Sequence, residues 1–306
     1  MLESLTGFVV VGVAIIVGWI IGRIDLLGEH GRPVLARLTF FVLSPFLLFV
    51  VLAQADVRTL FSALLPVSAI AAVAIIGGYA LIARFAWKRS TGETVIGALS
   101  AGQVNSNNIG IPLSLYLLGS AAYPAPVILL QLLVFTPITM AILDAVTFGR
   151  ATLWRSIVRT ATNPIVLGSV LGTIVSVTGL ELPPVVMEPA VLLANACVPV
   201  LLISYGMSLV GQRVLAPSGR RRDVLLATAL KLFVMPLIAW TVAEFVFGLS
   251  EKDVLIVVVL AALPTAQNVF NYSQRYDVGE TISRDTVFLT TIGCLPVLIA
   301  ITLLLG

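Results

Sequence analysis

The chain is poor in charge. Asp, Glu, Lys and Arg together make up 11% of its 306 residues, against 59% hydrophobic residues, and the mean hydropathy is +1.08. Too few solvated side chains remain to cover a soluble globule of this size, so a soluble fold is excluded. Histidine is nearly absent: His30 is the single one and lies in a charged loop. Neither H-E-x-x-H nor G-x-S-x-G occurs, and no histidine stands in an apolar run to act as base or metal ligand. The pair "YD" at 276–277 matches half of an intramembrane aspartyl protease signature, but no G-x-G-D partner exists. An enzyme is therefore not expected, and no cofactor is implied. Cysteine is equally scarce. Cys197 and Cys294 both fall inside apolar runs and read as small buried hydrophobes, which argues against a disulfide or a thiolate metal site.

What is present is apolar sequence in stretches of about 20 residues, the length that crosses a bilayer's hydrocarbon. Ten such spans lie near 7–26, 34–53, 60–83, 95–118, 124–148, 161–179, 187–209, 224–247, 253–274 and 284–305. The first has no basic region ahead of it and reads as a span rather than a cleaved signal. With the N-terminus outside, 15 basic residues fall in inner loops and only Arg58 and Lys252 in outer ones. That asymmetry predicts both termini outside. The basic residues are spread over five inner loops, which argues against a nucleic-acid partner. The run "GRRRD" at 219–223 reads as a topology anchor, with anionic membrane lipid as a second possible contact.

Prolines are costly inside helices, so their placement carries information. Pro45 and Pro199 are 154 residues apart, Pro112 and Pro264 152, and Pro137 and Pro296 159; "TPITMAI" (136–142) resembles "LPVLIAI" (295–301). The expectation is an all-α membrane protein of ten transmembrane helices in two five-helix repeats, 1–150 and 151–306. Five is odd, so the second repeat is inverted, as in many secondary transporters.

A polar stretch inside a span is "QVNSNNIGIPLS" (103–114), and its partner is "AALPTAQNVFNYSQ" (261–274). Pro112 predicts a free carbonyl at Asn108, Gly110 loosens the backbone, and Pro264 predicts a free carbonyl at Leu260. Spans 4 and 9 thus read as broken helices that cross near the midplane. Irregular backbone there is tolerated only against protein or a watery cavity. The half-helices beyond each break would start at the midplane and aim their positive ends at one site. Asn105, Ser106, Asn107, Asn108, Thr265, Gln267 and Asn268 would line it, and neither segment contains Asp or Glu. Such a site favours a carboxylate; the bland alternative is that the amides only hold two kinked helices together.

Other polar residues stand apart. Lys231 lies about 14 Å beyond Arg222 by helical rise, and either snorkels to the inner interface or takes a substrate or gating role. Asp144, near the inner end of span 5, is expected to be hydrated or to pair with a loop arginine. Gln131 either lines the site or bonds a neighbouring helix. Asn163 in "TNP" (162–164) is an expected N-cap with Pro164 at the first helical position, and a second candidate for the site.

"VNSNNIGIPL" (104–113), "TNP" (162–164), "SYGMSL" (204–209) and "ALPTAQNVFNYSQRYDV" (262–278) resemble the auxin efflux carrier family, whose bacterial members include carriers named for malonate or malate. The resemblance spans essentially the whole chain, without the long hydrophilic loop of many plant members. It implies that Asn105 touches the substrate carboxylate and that Asn163 matches the family's "RNP" asparagine. It also implies a scaffold of spans 1, 2, 6 and 7, a mobile domain of spans 3–5 and 8–10, a homodimer and a bacterial plasma-membrane location. Thr265 and Ala266 replace the plant "QG", and Val104 a frequent Pro, so the pocket is not expected to fit an indole ring. The implied activity is transport of small organic anions, with a sodium- or proton-coupled carrier of the same architecture as the alternative.

Overall fold

The computed structural model describes residues 2–28, 30–54, 63–149, 158, 162–211 and 218–306. Arg150, Arg155, Arg159 and Arg213, expected in inner loops, and Arg58, expected in an outer one, lie outside them. The described residues are helical apart from turns and one isolated β-bridge. Six of their helices are long and apolar enough to cross a membrane: α2 (Gly31–Ala53), α3 (Leu64–Ala86), α6 (Ala125–Thr147), α8 (Pro184–Ser208), α9 (Arg221–Val246) and α12 (Glu280–Leu305). Shorter apolar helices are Gly12–Arg23, within α1 (Leu2–Arg23), and α7 (Pro164–Thr178). The fourth and ninth expected spans are interrupted. The fourth contains α4 (Thr91–Gly102), a π-turn at Ser106–Gly110 and α5 (Ile111–Leu118); the ninth contains α10 (Glu251–Ala262) and α11 (Gln267–Tyr276).

Proline shapes several helices in one repeated way. π-Turns at Thr39–Leu43, Ser106–Gly110, Gln131–Phe135 and Leu230–Val234 each end two residues before a proline, at Pro45, Pro112, Pro137 and Pro236. A proline ring clashes with the carbonyl four residues earlier and offers that carbonyl no N–H. Widening the preceding turn relieves the clash without ending the helix.

The chain forms two compact units. The first comprises Met1–Ser62, Asn107–Leu132 and Val158–Gly211. In it α8 packs on α1 and α2, α7 on α2, and α5 on α1. Glycine sets the closeness of these crossings. A Cβ on Gly206 of α8 would stand 2.0 Å from the Ile15 carbonyl oxygen, and one on Gly18 of α1 would stand 2.2 Å from that of Ile203. Gly168 and Gly172 of α7 lie equally close to the Pro45 and Phe49 carbonyls of α2. Small residues four apart let backbones touch, which suits helices that gain no hydrophobic drive from leaving lipid. Asn163 caps α7 as its sequence predicts, its side-chain oxygen accepting the Ile165 N–H at 2.9 Å with Pro164 next.

The second unit comprises Ala63–Ser106, Leu133–Ile157 and Gln212–Gly306. Helix α9 packs on α3, α4, α10 and α12, α3 also on α4 and α10, α12 also on α4 and α10, and α11 lies on α12. Ile96, Leu99, Leu143, Ala266, Val269 and Tyr276 form a buried apolar cluster within it. Segments 82–102 and 242–262 follow the same course 160 residues apart. Each has a π-turn (Ile82–Ala86, Val242–Val246), then a serine N-cap (Ser90, Ser250) accepting the N–H three residues on (Glu93, Asp253), then a 12-residue helix. At one end, Asp223 is fully buried and receives Arg89 Nη2 at 2.6 Å, while Arg220 pairs with Glu93.

Gly206→Val is expected to overpack the α1–α8 crossing at backbone atoms and cost at least about 1–3 kcal/mol. Gly77→Ala, with open space around it, is expected to be neutral. Thermal unfolding of the purified protein in detergent checks both, and equal midpoints would refute the close contact.

Candidate functional site

Within the second unit the two interrupted spans meet through their backbones. After α4 the chain runs extended over Gln103–Asn105; after α10 it runs extended over Leu263–Ala266. Val104 and Thr265 form an antiparallel bridge. The Asn105 N–H donates to the Pro264 carbonyl at 2.8 Å, and the Ala266 N–H to the Gln103 carbonyl at 3.2 Å. Peptide groups that left their helices therefore satisfy one another, as a low-dielectric interior demands.

Side chains complete this pairing. Thr265 Oγ1 donates to the Ser100 carbonyl at 2.6 Å, a carbonyl in the last turn of α4. The Thr265 N–H donates to Thr290 Oγ1 of α12 at 3.0 Å, and that hydroxyl donates in turn to the Thr286 carbonyl at 2.7 Å. Lys231 Nζ donates to the Ala261 carbonyl at 2.7 Å. Gln103, Asn105, Ser106, Pro264 and Thr265 are all buried. Gln103 Nε2 and Ser106 Oγ make no hydrogen bond among the described residues, so the crossing carries buried polar atoms available to a ligand. Gln267 opens α11 half-buried, whereas Asn268 is exposed.

The remaining candidates belong to the first unit. Asn107 Nδ2 donates to Asn108 Oδ1 at 3.1 Å and to Ser44 Oγ at 3.4 Å, and Ser44 Oγ lies 3.6 Å from Cys197 Sγ. Gly110 and Pro112 are buried, and Gln131 is half-buried in its π-turn. Asn163 commits its side-chain oxygen to capping α7.

Several expectations need correction. Pro112 does not make the break in span 4. It lies in a continuous helical run, two residues after the π-turn Ser106–Gly110 that accommodates its ring, and the interruption lies earlier, at Gln103–Asn105. Pro264 does stand in its break, so the two prolines are not equivalent. At the 160-residue offset, Pro264 corresponds to Val104. The Leu260 carbonyl is not free, since the Leu263 N–H reaches it at 3.4 Å. Lys231 does not snorkel: it is fully buried and turned to the crossing. Asp144 is half-buried and accepts from Tyr276 OH at 2.7 Å; the loop arginines Arg150, Arg155 and Arg159 lie outside the described residues. Ser44, Ser100 and Thr290 escaped the sequence reading. The one signal that could have found them is a hydroxyl residue deep in an apolar span.

The sequence matches a family described as membrane transport protein over residues 4–146 and 149–302. A relative from Methanothermobacter thermautotrophicus, named as an uncharacterized transporter, is 25% identical over 289 residues, 92% of this chain and 91% of the relative.

Thr265→Val removes the bond to the Ser100 carbonyl and buries that carbonyl unpaired. The expected cost is about 1–3 kcal/mol, read as a lowered unfolding midpoint. Pro112→Ala is expected to leave the extended segment 103–105 intact. A structure of that variant with one unbroken helix from Thr91 to Leu118 would show that the proline is the cause after all.

Proposed function

Because the chain belongs to the membrane transport protein family, that of the auxin efflux carriers, we propose that it is a secondary transporter or facilitator of small organic anions, carboxylates above all. The observation that carries the anion reading is the chemistry of the crossing. It is built from peptide groups, amides and hydroxyls, and neither 103–114 nor 261–274 contains a carboxylate to hold a transported cation. Asn105 is the first candidate to meet the substrate, with Ser106, Thr265 and Gln267 of the same unit; Asn107 and Asn108 of the first unit are candidates in their own right. Asn163, Gln131 and Asn268 are further candidates.

The proposed architecture is ten spans in a 5+5 inverted repeat. The shared course of 82–102 and 242–262 supports it, as does an extended break ending each course. The proposed mechanism is elevator-type alternating access, with spans 1, 2, 6 and 7 as scaffold. In its support, α1, α2, α7 and α8 pack in one unit and α3, α4 and α9–α12 in another; α5 and the first part of α6, which the mechanism assigns to the mobile domain of spans 3–5 and 8–10, fall in the first unit. Homodimerisation and a bacterial plasma membrane with both termini outside complete the reading.

The test is flux of mono- and dicarboxylates into proteoliposomes under an imposed potassium diffusion potential, with and without Na⁺ and a pH step. One charge moved fully across 100 mV is worth roughly 2.3 kcal/mol. An inside-negative potential is therefore expected to favour export of a monoanion about 40-fold per 100 mV. Asn105→Ala is expected to abolish most of the flux while leaving expression unchanged. Flux that ignores voltage and strictly requires Na⁺ would replace this reading with a sodium-coupled carrier.

A further inference from the structure

The turn between α3 and α4 holds a backbone outlier. Lys88 has a φ of 53°, in the left-handed region that an L side chain rarely adopts. The matching turn of the repeat, 160 residues on, has Gly248 there with a φ of 56°. Glycine takes such a backbone without steric cost, so the turn itself has no need of a lysine. Orienting the chain in a membrane calls for basic residues in the loop, but not at its left-handed position. A disfavoured conformation kept under an exposed cation points to something the cation contacts.

Lys88 does not stand alone. Its neighbour Arg89 grips Asp223 with Nε at 3.0 Å and Nη2 at 2.6 Å, and Nη2 also donates to the Gly219 carbonyl at 3.2 Å. The start of α9 is thereby fastened beside the turn, and Lys88 and Arg222 flank one ion pair. Asp223 is committed to Arg89, and Glu93 to Arg220. Lys88 and Arg222 are exposed, and neither has a hydrogen bond or ion pair among the described residues. Arg84, also exposed, donates to the Arg89 carbonyl at 3.1 Å. In the repeat, Glu244, Gly248 and Leu249 take the places of Arg84, Lys88 and Arg89, so these cations belong to one copy of the turn and not to the turn as such.

Apolar surface borders the cations. Leu81 stands three residues before Arg84, Phe85 next to it and Leu225 three residues after Arg222, and they are 61%, 74% and 54% exposed. Trp87 is half-buried beside Lys88, as suits an aromatic ring at headgroup level. Cations without a carboxylate, at the ends of two membrane-length helices and edged by exposed apolar side chains, fit a ligand with a phosphate at its head and hydrocarbon below.

We propose that Lys88, Arg222 and Arg84 form a headgroup site for an anionic phospholipid at this end of the second unit, with the acyl chains against Leu81, Phe85 and Leu225. The site is independent of which substrate the protein carries.

The purified protein in dodecylmaltoside micelles is titrated with phosphatidylglycerol while the thermal unfolding midpoint is followed, since a ligand of the folded state raises it. A saturable rise is expected with phosphatidylglycerol, and none with phosphatidylcholine or inorganic phosphate. Lys88→Gly relaxes the turn, so its midpoint without lipid is expected to be unchanged or raised, which a merely structural lysine would not allow together with lost binding. Its half-saturating lipid concentration is expected to rise about fivefold, the worth of one interfacial cation. Arg222→Gln is expected to do the same. Lys88→Arg is expected to bind like the wild type, and so is Arg37→Gln, which removes an exposed arginine of the first unit. An equal rise with phosphatidylcholine means lipid packing alone, and an equal rise with inorganic phosphate means a free-anion site; either overturns the proposal. So does wild-type affinity in Lys88→Gly, or an equal loss in Arg37→Gln, which would mean general attraction between a basic surface and acidic lipid.

Discussion

A peptide group that leaves its helix inside a membrane has no water to turn to, and every unusual contact at the crossing answers that constraint. The extended segments at Gln103–Asn105 and Leu263–Ala266 bond to each other. What they leave over goes to a threonine hydroxyl of α12, a threonine hydroxyl of the crossing itself and a lysine of α9. Four helices of one unit are therefore tied to a few peptide groups. A break that might have been a weak point becomes the place where the unit is most cross-linked. It also keeps amide and hydroxyl groups at depth that ordinary helices would have used up.

The first unit solves a different problem with different means. Its helices are held by closeness, with glycine Cα atoms of α1, α7 and α8 set against backbone carbonyls. Dispersion between touching backbones serves where the surrounding lipid is as apolar as the helices themselves. One unit thus relies on shape and the other on polar satisfaction. Among the described residues, the second unit holds a fully buried lysine, Lys231, whose Nζ donates to a carbonyl beside irregular backbone.

Much of this was legible in the sequence. The apolar runs located the long helices, "TNP" announced the cap of α7, and the two amide-rich stretches marked the interruptions. The failures share one cause: partners far apart in sequence. Pro112 looked like the helix breaker because proline breaks helices locally, yet the break is fixed by residues about 160 positions away. Lys231 looked like a snorkelling lysine because depth along α9 can be counted, whereas the carbonyl that holds it belongs to α10. The repeat offset was blurred for the same reason. Proline spacing gave 152 to 159 residues, but the conformational match at Ser90 and Ser250 is 160.

The π-turns ahead of Pro45, Pro112, Pro137 and Pro236 also bear on how these helices are read. Each takes up one residue more than an α-turn, so the chain beyond it is rotated by about 100° from where an unbroken α-helix would place it. A helical wheel drawn straight through α2, α6 or α9 assigns the wrong face to everything past the proline. Side chains that share a stripe before the turn part company after it. A single helix can thereby present one row of residues to its packing partners in its first half and a different row in its second.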